Sequence, residues 1–147
     1  MTFFASNNMV VPVRYFHEIG GFNTSFPLAA GEDREFCDRW QYNGFQTIYA
    51  PKAVVLHTHD MTLGSFWRQH FNYGRGAFYF HQFRSRRCNT PLKVEPFSFY
   101  RNLLMFPVLQ SKRFQSFLKT GLMFVSQLAN GLGFFWEVWQ QKNGVKT

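Results

Sequence analysis

Acidic residues are scarce in the second half of this chain. Residues 61–147 hold only Glu95 and Glu137 against twelve Lys and Arg, a net of +10, whereas residues 1–60 hold six acids and four bases, a net of −2. So lopsided a charge makes the second half a basic surface suited to anionic lipid or polyanions, and leaves carboxylate chemistry to the first. Cysteine is scarce too. Cys37 and Cys88 stand far apart and match no metal spacing, which excludes a disulfide scaffold and a cysteine-based metal site and leaves reduced thiols. No basic leader with a long apolar region opens the chain, since Met1-Thr2-Phe3-Phe4-Ala5 runs straight into Ser6-Asn7-Asn8. The start reads as a chain entering a domain partway through. Internal repeats and low-complexity linkers are also missing.

Aromatic residues are abundant. Twenty Phe in 147 residues must sit in a core, a groove or a lipid interface, and the length suffices for one ordinary core.

Local patterns predict a strand over Phe4–Pro12 around Met9-Val10-Val11, then a short helix from Val13 to Ile19 stopped by Gly20-Gly21. A loop over residues 22–30 leads to a helix over 32–43, in which Phe36 and Trp40 share a face and Gly44 supplies a left-handed stop. Residues 45–50 and 53–56 read as β segments around Pro51. Beyond Asp60 the pattern turns helical over 61–83, with Gly74 and Gly76 as weak points. A basic loop is expected over 84–96, a helix over 97–106 ended by Pro107, and a last helix over 112–141.

The residues with most chemical promise are Glu32 and Asp33 at the start of the 32–43 helix. Two acids in a first turn can simply favour the helix dipole, by about 0.3–1 kcal/mol each. They can also place a general base at a loop–helix junction, with Gly31 admitting close backbone approach by a ligand. Arg39 and Trp40 lie within two turns. Arg39 either pairs with Glu35 or serves phosphate oxygens; Trp40 is either core or a platform for an acceptor. His57 and His59 flank Thr58 on one side of a strand end and are either structural or metal ligands.

The ordered set Gly31-Glu32-Asp33, Phe36, Arg39, Gly44, Pro51, Ala53-Val54-Val55 and His57 resembles the second half of a family 2 glycosyltransferase. Ala5-Ser6-Asn7-Asn8-Met9 and Ile19-Gly20-Gly21-Phe22-Asn23 are similar to that family's preceding segment. The likeness covers roughly residues 3–83. It implies an α/β fold, the C-terminal half of a GT-A-like nucleotide-diphospho-sugar transferase domain over residues 1–83, followed by a mostly helical, membrane-associating extension over 84–147. It implies an inverting single displacement with Asp33 as base and Glu32 beside it. Asn7, Asn8, Gly21, Phe22, Gly31, Arg39 and Trp40 would contact substrate. His57, with His59 second, would hold a divalent Mn²⁺ or Mg²⁺ near the leaving diphosphate. The implied partners are a nucleotide-sugar donor, a lipid-linked or glycan acceptor and a membrane surface, with no nucleic acid. Two departures stand out. The Gln of the processive Gln-x-x-Arg-Trp motif is absent before Arg39-Trp40, which points to single-sugar transfer. No Asp-x-Asp occurs in the chain, so a nucleotide-binding half is expected to be missing or to be a separate chain.

Residues 120–136 carry no charge. They could just span a thin bilayer, but Ser126, Gln127, Asn130 and Glu137 fall on one helical face, with Leu122, Val125, Leu128, Leu132, Phe135 and Trp139 on the others. An interfacial helix, a single C-terminal anchor and a helix packed on the protein's own core are all compatible with this pattern. The implied location is the cytoplasmic face of a membrane. Two competing functions are a basic aromatic nucleic-acid-binding module, although no RNP, KH or helix-turn-helix pattern appears, and a non-catalytic membrane-associated remnant.

Overall fold

A computed structural model describes residues 3–58, 60–89, 91, 95–110 and 114–144. A 3₁₀ turn, Ser6–Asn8, precedes five helices: α1 Val13–Glu18, α2 Glu32–Tyr42, α3 Leu63–Cys88, α4 Phe97–Gln110 and α5 Phe114–Lys142. The chain forms two units. One takes in the chain up to Met61 and the stretch Gly76–Thr90; the other takes in Thr62–Arg75 and Pro91–Lys146. Helix α3 contributes to both.

The α/β expectation is overturned, for the described residues contain no strand. The backbone around the first predicted strand is extended, with Met9 at φ −126°, ψ 132° and Pro12 at φ −61°, ψ 126°. Extended geometry becomes a sheet only when a neighbour completes the ladder. Val10 is 98% exposed and Leu56 93% exposed, so their β-type side chains pack on no second layer. The preference of Val, Ile and Tyr for strands reflects such packing and does not act alone.

Two helix ends also differ from expectation. Helix α3 runs on to Cys88, through residues that read as a basic loop, because Arg84 and Arg87 meet carboxylates of α2. Gly74 and Gly76 do not weaken it; each lies where another backbone touches the helix. A Cβ on Gly76 would sit 2.0 Å from the Ala30 carbonyl oxygen, and one on Gly74 would sit 1.9 Å from that of Asn130. Helix α4 continues past Pro107 to Gln110. Proline removes one N–H from the helix ladder, and the nearby Leu104 carbonyl accepts a hydrogen bond from Thr120 Oγ1 of α5, at 3.3 Å.

In the first unit the core is aromatic. Phe36 is buried against Phe16 and Phe22, with ring centroids 5.6 and 5.0 Å away, and Trp40 lies 4.5 Å from Phe45. Phe80 and Ala30 complete the buried set around α3. In the second unit α5 packs on α4 and on the first part of α3. A Cβ on Gly133 would fall 2.0 Å from the Phe71 carbonyl oxygen, so these two helices meet backbone to backbone. Along that seam Asn130 Nδ2 lies 3.5 Å from His70 Nδ1, and Arg75 Nε donates to the buried Glu137 carboxylate.

Candidate active site

The site is built from the start of α2. Gly31 takes φ +89°, a left-handed conformation that glycine adopts at least cost, and its carbonyl accepts the first helical hydrogen bond from Glu35 N at 2.9 Å. The close approach that Gly31 allows is made by α3: a Cβ there would lie 2.8 Å from the Gly76 carbonyl oxygen. This contact fixes the junction from which Glu32 and Asp33 project.

Asp33 is half-buried. Its Oδ1 accepts from Arg34 N at 2.7 Å, and its Oδ2 lies 3.4 Å from Ser6 N of the 3₁₀ turn. Glu32 is half-buried as well, and its Oε2 is enclosed without a hydrogen-bond partner among the described residues.

Asp33, Cys37 and Trp40 follow each other at i, i+4 and i+7, so they line one face of α2. Cys37 and Trp40 form part of a groove of about 210 Å³, with Phe4, Met9, Ile48 and Ala53 opposite. Asn8 also borders the groove, and its Nδ2 donates to the Ala53 carbonyl at 3.0 Å, which ties the 3₁₀ turn to the 45–56 segment. Trp40 Nε1 donates to the Gln46 carbonyl at 3.0 Å. Burial raises the Cys37 thiol pKa above its ordinary value, against a smaller opposing contribution from the Phe4 backbone, so this sulfur is no ready nucleophile.

Other predicted site residues fall elsewhere. Arg39 is a clamp: its Nε lies 3.0 Å from Glu35 Oε1, its Nη2 donates to the Gly21 carbonyl at 2.6 Å, and its Nη1 donates to the Ile19 carbonyl. This includes the Glu35 pairing that the sequence offered as one alternative, and it holds the Gly20–Gly21 turn against α2. Phe22 packs on Phe16 and Phe36 while keeping an exposed edge. Asn7 is exposed in the 3₁₀ turn. His57 is exposed in the segment after Pro51, and His59 lies outside the described residues. Among the described residues no three His, Cys, Asp or Glu side chains come together in a way that could hold a metal ion.

A second cluster was hidden in the sequence. Glu35 and Asp38 are buried on α2, and Arg87 of α3 spans them, with Nη1 2.8 Å from Glu35 Oε1 and Nη2 donating to Asp38 Oδ2. Arg84 adds a longer contact to Asp38 at 3.5 Å. Burial works against the Arg87 charge, but the hydrogen bonds to Glu35 and Asp38 outweigh it and raise the pKa above its ordinary value. The signal was present as matching i, i+3 pairs, Glu35/Asp38 and Arg84/Arg87, but the second pair falls in a stretch that reads as loop.

No curated protein and no solved structure matches the chain. The family model for glycosyl transferase family group 2 matches residues 1–138, nearly the whole chain, including Glu32, Asp33 and all of α3 and α4. The chain thus belongs to the family 2 glycosyltransferases.

Proposed function

We propose that the chain, a transferase by family, takes part in moving a sugar from a nucleotide-diphosphate donor to an acceptor hydroxyl, with Asp33 as the base. The observation that carries this reading is the position of Asp33: a half-buried carboxylate at a helix start, on the same face as a groove-lining Trp40. An acceptor hydroxyl bound there would give its proton to Asp33 as its oxygen attacks the anomeric carbon. The nucleoside diphosphate would leave from the opposite side, inverting the centre. A nucleotide-binding half, from elsewhere in the protein or from a second chain, would bring the donor.

The second unit supports a membrane-surface acceptor. On α5 the polar and small residues Ser126, Ala129, Gly133 and Glu137 face inward, while Phe124, Leu128, Leu132, Phe135 and Trp139 are exposed. At 100° per residue those five fall within one stripe opposite the buried set. Apolar surface outside and polar groups inside suit a helix lying in a lipid interface, with exposed Arg68, Arg101, Lys119 and Lys142 able to meet anionic headgroups. No described helix is long and apolar enough to cross a membrane. The test is product formation from UDP- and GDP-sugars with Mn²⁺ and lipid vesicles, by the chain alone and by the chain joined to its upstream reading frame. Transfer in either form supports the reading; a joined form that turns over no donor and binds no vesicle leaves a remnant.

A further inference from the structure

On the side of α2 opposite Asp33, the first unit holds a recess of about 390 Å³. Glu35 and Arg39 line it from α2, Phe22, Asn23 and Thr24 from the loop after α1, and Phe83 and Arg87 from α3. Its two guanidinium groups are already turned onto carboxylates, Arg39 onto Glu35 and Arg87 across Glu35 and Asp38. A phosphate would have to share these donors with two buried carboxylates that repel it.

Three polar groups remain. Arg87 Nε is buried without an acceptor among the described residues. Asn23 uses Oδ1 on Ser25 N, at 2.9 Å, and keeps its NH₂ group. The Thr24 hydroxyl has no protein partner among the described residues, and Phe22 and Phe83 supply ring surface. A buried donor left unmatched is destabilising, and a ligand oxygen placed on it would relieve that cost.

We infer that this recess binds a neutral, hydroxyl-rich sugar ring, with Phe22 and Phe83 against its apolar face and Asn23, Thr24 and Arg87 on its oxygens. A charge-compensated site with a few convergent polar groups and aromatic walls selects a polyol over an anion. The inference deepens the transfer reading and rests on it for the role of the bound sugar, as a unit of the acceptor held away from the reacting hydroxyl.

The experiment is saturation-transfer NMR on the whole chain with the methyl glycosides of glucose, galactose, mannose and N-acetylglucosamine. At least one glycoside is expected to bind, about tenfold more weakly in Phe83→Leu and in Thr24→Val, the loss that one contact of about 1.4 kcal/mol represents. Phe83 also packs on Phe26, with ring centroids 5.3 Å apart, so Thr24→Val on the exposed loop keeps the test informative if Phe83→Leu fails to fold. No binding of any of the four, binding unchanged in both folded variants, or displacement of the glycoside by equimolar inorganic phosphate overturns the inference. Transfer measured on the same samples separates the two claims. Glycoside binding without transfer removes the proposed function and leaves the recess; transfer with binding indifferent to these substitutions does the reverse.

Discussion

Arg87 shows how one side chain can determine the arrangement around a site. It joins two buried acids of α2 to the end of α3, and removing it would leave Glu35, with a side chain only 2% exposed, short of a partner. Arg87→Met is expected to cost about 1–3 kcal/mol in urea unfolding, because two buried carboxylates each lose a charge-assisted hydrogen bond while Glu35 keeps Arg39 and Asp38 keeps the longer contact to Arg84. Arg87→Lys should recover only part of that loss, since an ammonium cannot span both carboxylates in the same fork. His81 gives a pH signature in the same unit. Burial lowers its pKa below the ordinary 6.5, and Arg34 and Arg84 push it the same way, against a smaller opposite pull from Asp38. The folded chain thus holds His81 neutral where the unfolded chain protonates it, so stability rises with pH through the window just below 6.5. The melting temperature should fall on going from pH 7.5 to pH 5, and fall less in His81→Gln. The place of Asp33 in the first turn of α2 was legible in the sequence because the pattern that starts this helix is local. Arg87 was not, since its partners lie about fifty positions away and only folding brings them together.

At the scale of the element, the helices were legible, whereas the strands expected from the sequence do not form among the described residues. Helix α2 follows its apolar spacing and ends before Gly44, at φ +84°. The segments around Val10 and Ile48 read as strands from their side chains alone, yet a strand depends on a neighbour that local sequence does not specify. Helix α5 was legible as amphipathic, but which face turns inward was not. The tight approach at Gly133 and the Arg75–Glu137 pair draw the polar face inward. Gly133→Ala should therefore loosen the α3–α5 crossing and cost about 1–3 kcal/mol in thermal or urea unfolding. Substitution on the outward stripe separates lipid binding from folding. Leu128→Lys with Phe135→Lys should leave helical circular dichroism intact and weaken co-sedimentation with vesicles containing phosphatidylglycerol. If binding to those vesicles is unchanged, the stripe is not the lipid contact.

For the whole molecule, charge and shape divide the work in two. The acidic first part gathers Glu32, Asp33, Glu35 and Asp38 on one helix beside a groove and a recess, and the basic second part presents apolar surface outward. Family membership rests on nearly the full length, so it covers both parts. The role of Asp33 as base is tested most directly by single-turnover sugar transfer with Asp33→Asn beside wild type, in the form of the protein that supports transfer. The substitution keeps the size of the side chain and removes its proton-accepting power. Transfer should fall by about 10²–10⁴-fold with the fold intact by circular dichroism. A folded Asp33→Asn variant that transfers sugar at the wild-type rate would contradict the account.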